Sequence, residues 1–280
     1  MGNCGTGDCA SAQGQRSQAD VDAAVNGSLG RIKHKLIVMS GKGGVGKTSV
    51  SVNLAMALAK KGLKVGIMDV DIHGPDVPRM LGLDGLLGVT ADQRLVPIKY
   101  DDHLAAVSIE SLSQNKDDAI IWRGPIKHSV IRQFIGDVEW GDLDFLIIDA
   151  PPGTGDEPLS VAQVITDAKA VIVTTPQEVA LADVRKSINF CKTVKMDILG
   201  VVENMSGFKC PHCDEVIDLF GSGGGERTAE TFGLAFLGKI PFDPKVVVAG
   251  DTGVSFQETY ADAEAAEAFK SVARKVAASV

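Results

Sequence analysis

The sequence has no long apolar run, no excess of basic residues and no secretory leader pattern. Its longest apolar stretches, such as residues 35–40 and 170–174, are strand-sized, whereas a helix needs about 20 apolar residues to cross a bilayer. Lys and Arg number 28 against 36 Asp and Glu, a net charge of −8, so the field of the protein opposes binding to a polyanion. The N-terminus has no basic stretch followed by an apolar one. We therefore expect a cytoplasmic protein with neither a membrane nor nucleic acid as a partner.

Cysteine is scarce and odd in number. The five cysteines are Cys4, Cys9, Cys191, Cys210 and Cys213. In a reducing compartment this count favours metal binding or free thiols over a disulfide framework. Cys191 lies in a stretch with helical spacing, where we expect it to be a buried, small apolar residue.

The organisation of the chain changes near residue 30. Residues 1–30 contain almost no large apolar side chain and cannot repay the entropy of ordering, so they predict a disordered N-terminal tail. From Lys35 onward, apolar runs alternate with segments of helical period, up to a terminal helix that begins at Asp262. Such alternation indicates an α/β fold, a mostly parallel sheet flanked by helices on both faces. We assign residues 31–280 to one domain.

A glycine-rich loop joins the first predicted strand to the first predicted helix of this domain. Residues 41–48 match the phosphate-loop pattern G-x-x-x-x-G-K-[ST]. Glycines let successive backbone N–H groups point at phosphate oxygens, and the following helix adds its positive N-terminal dipole. Lys47 would reach the β- and γ-phosphates, and Thr48 would bind Mg2+. The predicted nucleotide-binding residues here are Gly41, Lys42, Gly43, Gly44, Val45, Gly46, Lys47, Thr48 and Ser49.

A carboxylate is placed to complete the magnesium site. Mg2+ prefers oxygen ligands and commonly takes a carboxylate at the end of a neighbouring strand. Asp149 ends the apolar run at residues 145–148 and is followed by a glycine-rich segment, residues 150–156, that could rearrange on hydrolysis.

Lys42 is a second lysine within the loop, and here the sequence resembles the deviant Walker A ATPases, a group with the pattern K-G-G-x-G-K-[ST] that includes MinD, ParA and the nitrogenase iron protein. The resemblance implies a homodimer with ATP sandwiched between subunits, in which Lys42 crosses to the partner's nucleotide. It also implies that residues 69–75, D-x-D-x-x-G-P, form the first switch. Asp71 would orient or activate the attacking water, and Asp69 would support Mg2+.

The same resemblance indicates where the base would bind. Asn204 occupies the end-of-strand position that the group uses for adenine, and the stretch around Pro241 and Asp243 is similar to its second base-contact loop. From the residues alone, Asn204 could equally be a turn or helix-cap residue.

Cys210 and Cys213 form a C-x-x-C pair in a loop after a predicted strand. Zinc sites and iron-sulfur clusters generally need four protein ligands, and one chain supplies two here, so a symmetric dimer could complete a four-thiolate site. Spacing alone leaves structural zinc and an iron-sulfur cluster equally open. A redox dithiol normally opens a helix in a thioredoxin-like unit, which does not fit this late position, and an incidental pair is the remaining alternative.

Taken together, the motifs resemble the Mrp/ApbC family of iron-sulfur cluster carrier ATPases. The matching segments are the deviant loop, D-V-D-I-H-G-P-D-V-P at 69–78, W-R-G-P at 122–125, D-A-P-P-G-T-G-D at 149–156, E-N-M-S at 203–206, C-P-H-C at 210–213 and I-P-F-D-P at 240–244. The resemblance implies a [4Fe-4S] cluster bridged by Cys210 and Cys213 of both subunits. Some relatives carry four N-terminal cysteines, whereas this chain has only Cys4 and Cys9, so a second cluster is not expected.

The function implied is a slow ATPase that holds an iron-sulfur cluster at a homodimer interface and passes it to apo iron-sulfur proteins. One alternative is a MinD- or ParA-like positioning ATPase with structural zinc at the cysteine pair, although that class needs a basic or amphipathic surface. The other is a reductase resembling the nitrogenase iron protein, whose cluster cysteines lie in separate loops.

Overall fold

The apolar runs of the sequence form one central sheet in a computed structural model that describes residues 17–71, 74–112 and 124–280. The helices in these ranges are α1 (Gln18–Leu29), α2 (Lys47–Ala59), α3 (Val77–Met80), α4 (Gly124–Gly136), α5 (Asp156–Val164), α6 (Glu178–Thr193), α7 (Gly224–Phe232), α8 (Pro244–Thr252), α9 (Phe256–Thr259) and α10 (Glu264–Ala278). The strands are β1 (Ile32–Ser40), β2 (Val65–Asp69), β3 (Gly88–Val89), β4 (Leu95–Val96), β5 (Ile98–Lys99), β6 (Leu104–Ser108), β7 (Leu143–Asp149), β8 (Lys169–Thr174), β9 (Asp197–Glu203), β10 (Phe208–Lys209), β11 (Val216–Ile217) and β12 (Phe236–Lys239).

The sheet has eight strands in the order β12-β9-β8-β1-β7-β2-β6-β5. Every neighbouring pair is parallel except β5 with β6. The predicted α/β architecture is therefore confirmed. Two short hairpins, β3 with β4 and β10 with β11, lie outside this sheet.

Each face of the sheet carries its own apolar core because successive strand residues point to opposite sides. On one face, Leu36 and Val38 of β1 pack with α2 and α10; on the other, Ile37 and Met39 pack with α4 and α5. This double coverage explains why the central strands are apolar at nearly every position. No helix within the described ranges is long and apolar enough to span a bilayer.

The predicted tail is wrong for residues 18–29, which form α1. Ser17 and Asp20 make a reciprocal capping box at its start. Asp22 pairs with Arg132 of α4, and Val25 is buried against Gly136. Partners more than 100 residues away therefore order this helix. The composition of residues 1–30 alone contains no sign of them. Residues 1–16, with Cys4 and Cys9, lie outside the described residues.

Candidate functional site

The predicted site residues converge on the carboxyl edge of the parallel sheet. Residues 41–48, the nucleotide loop, follow β1, and Asp149 ends the adjacent β7. Asp69 ends β2, directly beside Asp149 in the strand register. Asn204 follows β9, on the other side of the loop. The end of the central strands in a parallel sheet is the usual place for a ligand.

Two glycines fix the path of the nucleotide loop. Gly46 has φ 78°, and a Cβ there would lie 2.2 Å from the Asn204 side-chain nitrogen. Gly41 packs against the backbone of α6, where a Cβ would lie 2.3 Å from the Asp183 carbonyl carbon. The loop therefore requires glycine at both positions for close approach, and at Gly46 also for its left-handed backbone conformation.

Lys47, Thr48 and Asp149 meet at the base of this loop. Lys47 Nζ donates to Asp149 Oδ2 at 2.6 Å, and Thr48 Oγ1 donates to the same oxygen at 2.8 Å. Both members of the ion pair are buried, at 6% and 1% exposure. The Thr48 hydroxyl and the Asp149 carboxylate supply adjacent oxygen donors, a set that fits Mg2+. A lysine and these two oxygens at the start of a helix suit a phosphate-bound metal.

Sequence reasoning missed Ser51 in this cluster. Its hydroxyl donates to Asp149 Oδ1 at 2.5 Å and to the Lys47 carbonyl at 3.1 Å. The spacing could have indicated it, because Ser51 lies one helical turn after Lys47 on α2 and therefore on the same face of the helix.

Asp69 is fully buried and holds the backbone that follows β2. Its carboxylate accepts the N–H of Asp71 at 3.0 Å and the N–H of Val77 at 3.2 Å. Burial, and next the charge of Asp149, raise the pKa of Asp69 well above its ordinary value, against the opposing effect of Lys47. Asp69 thus lies beside Asp149 and fixes the backbone at Asp71 and Val77, within and just after the segment for which the sequence predicts the first switch.

Lys42 and Asp71 are both half-buried, and neither belongs to the Lys47–Asp149 ion pair. Ile72 and His73 of the predicted first switch lie outside the described residues, as do Trp122 and Arg123 of the W-R-G-P segment.

The predicted base-contact residues share one hollow. Ser49, Asn204, Pro241 and Asp243 all line it, together with apolar side chains of α8 and α10. Asn204 Nδ2 donates to the Val45 carbonyl at 2.9 Å, so this amide also braces the nucleotide loop. Asp243 caps α8 by accepting the Lys245 N–H at 2.9 Å. Asp243 is thus a helix cap, whereas Asn204 is neither a turn nor a cap residue, and base contact at both positions stays a prediction.

The cysteine pair lies at the tip of the β10–β11 hairpin, within a stretch that we name the thiol segment, residues 206–223. The hairpin closes through the Cys210 N–H to the Glu215 carbonyl at 2.9 Å and the Asp214 N–H to the Cys210 carbonyl at 3.0 Å. Residues 211–219 are all exposed. Backbone N–H groups of His212 and Cys213, together with the Cys213 thiol, lower the pKa of the Cys210 thiol. Such a turn favours thiolate, the form that binds metal.

Cys191 contrasts with this pair. It is fully buried in α6, as expected, and burial raises the pKa of its thiol to about 11. Within the described residues, no group of three or more His, Cys, Asp or Glu side chains is arranged to hold a metal. Cys210 and Cys213 thus offer two soft ligands, which fits half of a four-thiolate site.

Comparisons with known proteins agree on one family. The ParA family model described as "NUBPL iron-transfer P-loop NTPase" matches residues 31–277. An iron-sulfur cluster carrier protein of Methanocaldococcus jannaschii is 47% identical over 259 residues, covering 92% of this chain and 89% of the relative. The cytosolic Fe-S cluster assembly factor CFD1 of Saccharomyces cerevisiae is 45% identical over 260 residues, covering 89% of each chain.

Solved structures agree on the fold. A nucleotide-binding protein of Archaeoglobus fulgidus in complex with ADP superposes with a TM-score of 0.73 at 40% identity, covering 83% of this chain and 91% of the other. The septum site-determining protein MinD of Pyrococcus horikoshii, with Mg-ADP, gives a TM-score of 0.64 at 23% identity, covering 87% and 96%, a likeness of fold.

Proposed function

Since the chain belongs to the family of NUBPL iron-transfer P-loop NTPases, we propose that it is a cytosolic carrier of iron-sulfur clusters of the Mrp/ApbC type. It binds and slowly hydrolyses ATP, holds a [4Fe-4S] cluster as cargo between two copies of the chain, and passes the cluster to apo iron-sulfur proteins. The observation that carries the proposal is the Cys210–Cys213 turn, in which Cys210 is half-buried and Cys213 exposed, at the same edge of the sheet as the nucleotide loop.

The proposed ATP binding and hydrolysis are assigned to the nucleotide loop and the residues around it. Lys47 holds the β- and γ-phosphates, the N–H groups of residues 43–48 cradle them, and Thr48 and Asp149 bind Mg2+ with Asp69 behind them. Asp71 orients the attacking water, and Lys42 reaches the partner's nucleotide. Asn204, Pro241 and Asp243 contact the base. The buried ion pair of Lys47 with Asp149 supports this assignment, because a phosphate loop of this kind needs its lysine and a strand-end carboxylate side by side.

The proposed sharing of a cluster between two chains rests on the number of ligands that a cluster needs. Two thiols of one chain leave a cluster two ligands short, and a two-fold axis beside the thiol segment supplies the other two. A cluster held by exposed turns at a subunit boundary is accessible to a recipient protein. Neither nucleic acid nor a membrane has a part in this function.

The test is anaerobic reconstitution with iron and sulfide. Wild type is expected to bind four iron and four sulfide per two chains. The variant Cys210→Ala/Cys213→Ala should bind none and keep its ATP affinity. Cys191→Ala is the matched control, since it removes a cysteine from the core and leaves cluster binding unchanged. Zinc without iron at wild-type Cys210 and Cys213 would contradict the proposal and favour a structural metal.

A further inference from the structure

Glu203 is a fully buried carboxylate at the end of β9, between the nucleotide loop and the thiol segment. β9 is the second strand of the sheet, next to the edge strand β12, and Glu203 is paired in register with Thr174 of β8 and Lys239 of β12. Burying a carboxylate is costly unless strong hydrogen bonds compensate it. The partners of Glu203 therefore indicate what its charge is used for.

Among the residues that the structure describes, three groups donate hydrogen bonds to this carboxylate, and they belong to the two ends of the thiol segment or to the helix that follows. Ser206 Oγ donates to Oε1 at 2.5 Å, where the segment begins. The N–H of Gly223 donates to Oε1 at 2.9 Å and that of Gly225 to Oε2 at 2.6 Å, where the segment ends and α7 starts. The positive N-terminal dipole of α7 adds to the stabilisation. One carboxylate thus holds the two ends of the thiol segment together.

Backbone hydrogen bonds also join the start of the thiol segment to residues 240–242, which lie beside the predicted base-contact hollow. The N–H of Ser206 donates to the Ile240 carbonyl at 2.9 Å, and the N–H of Phe242 donates to the Gly207 carbonyl at 2.8 Å. The ring of Phe242 contacts those of Phe208 and Phe220, at centroid distances of 5.9 and 6.3 Å. Asn204, next to Glu203, binds the Val45 carbonyl of the nucleotide loop.

We propose that Glu203 is a positioning residue for the metal-binding thiols, fixing both ends of the thiol segment so that Cys210 and Cys213 are presented in one orientation relative to the nucleotide loop. The inference rests on the proposed function, in which these thiols hold the cluster. Glu203 acts through its hydrogen bonds to Ser206, Gly223 and Gly225.

Glu203→Gln is the sharpest variant. Since Oε1 and Oε2 both accept hydrogen bonds from donors, the amide nitrogen of a glutamine faces an N–H or O–H group whichever way it is turned. The side chain keeps its volume while the clamp loses an acceptor. Glu226→Gln is the matched control. Glu226 lies on α7, the helix that also contains Gly225, and forms an exposed ion pair with Lys239.

The experiment titrates full-length protein with Co2+, whose thiolate charge-transfer absorption reports bonding to Cys210 and Cys213, and measures ATP affinity and amide hydrogen exchange in parallel. For Glu203→Gln we expect Co2+ affinity to fall about tenfold, exchange in residues 206–225 to accelerate and ATP affinity to stay within about twofold. Glu226→Gln should match wild type. Unchanged Co2+ affinity would overturn the proposal, as would parallel losses of Co2+ and ATP affinity, which mark general destabilisation.

Ser206→Ala removes one of the three donors and carries the test if Glu203→Gln does not fold. Its Co2+ affinity should fall about threefold, and an unchanged value would overturn the proposal. Iron and sulfide uptake by wild type is the separate readout of the proposed function. A wild type that takes up no cluster while the Co2+ results hold would reject the carrier function and keep the role of Glu203.

Discussion

The nucleotide loop and the thiol segment lie at the same edge of one sheet, yet they are built differently. The loop is fixed by buried groups, among them the Lys47–Asp149 pair and the contact of Gly46 with Asn204. The thiol segment has two strands of two residues each, and residues 211–219 are exposed. The buried Lys47–Asp149 pair of the first site lies within one chain, whereas Cys210 and Cys213 of the second site offer two thiol ligands, half of a four-thiolate site. We infer that the protein separates a rigid site for the nucleotide from an exposed site for a cargo that must leave.

Lys47→Ala should break the rigid site most severely. It removes the phosphate-binding cation, so ATP affinity should fall at least about a hundredfold. It also leaves the Asp149 carboxylate buried without its cation, which should lower the free energy of unfolding by about 3–5 kcal/mol. Calorimetric ATP titration and urea denaturation measure the two effects.

Lys42→Ala is the control for stability, because Lys42 takes no part in the buried pair. Its free energy of unfolding should stay within about 0.5 kcal/mol of wild type. Equal destabilisation by both lysine variants would contradict the expectation that the buried Lys47 contributes more to stability than the half-buried Lys42.

Gly46→Ala tests the close approach within the loop. The new Cβ would meet the Asn204 side chain at 2.2 Å with a left-handed backbone, so we expect a loss of about 2–4 kcal/mol in urea denaturation. Gly44→Ala has a similar φ of 77° with nothing within 4 Å of the new Cβ, and should cost about 1 kcal/mol. Equal costs would show that backbone strain alone determines the loop.

Thiol alkylation should separate the buried from the exposed cysteines. At pH ~7.5, Cys210 should react more than about a hundredfold faster than Cys191, whose pKa is raised to about 11 by burial. Since the local N–H groups lower the Cys210 pKa, its rate should level off at a lower pH than that of a thiol in the unfolded chain. Iodoacetamide labelling followed by mass spectrometry measures both. A Cys210 rate that keeps rising to the same pH as the unfolded control would contradict the hydrogen-bonded turn.

Asp214→Asn should have the smallest effect. It breaks the exposed ion pair with Lys209, whose atoms lie 3.0 Å apart, and asparagine tolerates the φ of 59° at this position. Exposed ion pairs contribute little, so Tm should change by about 1 °C or less and Co2+ affinity by less than about twofold. A tenfold loss of Co2+ affinity would show that surface charge, rather than the base of the segment, positions the thiols.

What the sequence could predict depends on how local the signal is. The nucleotide loop is a contiguous pattern, and the adjacency of Lys47 and Asp149 follows from parallel strands whose carboxyl ends meet at one edge. The cysteine turn is also local. By contrast, α1 depends on Arg132 and Gly136, and the use of Glu203 depends on glycines about 20 residues later. Long-range polar pairing of this kind leaves no periodic trace in the sequence.

The central claim is that two copies of the chain share one cluster through four thiolates. Native mass spectrometry of anaerobically reconstituted protein with ATP tests it directly, alongside Cys210→Ala/Cys213→Ala. We expect a dimer carrying one [4Fe-4S] cluster, and loss of the cluster mass in the double variant. A monomer that retains a full cluster, or a dimer with a separate metal centre on each chain, would contradict it.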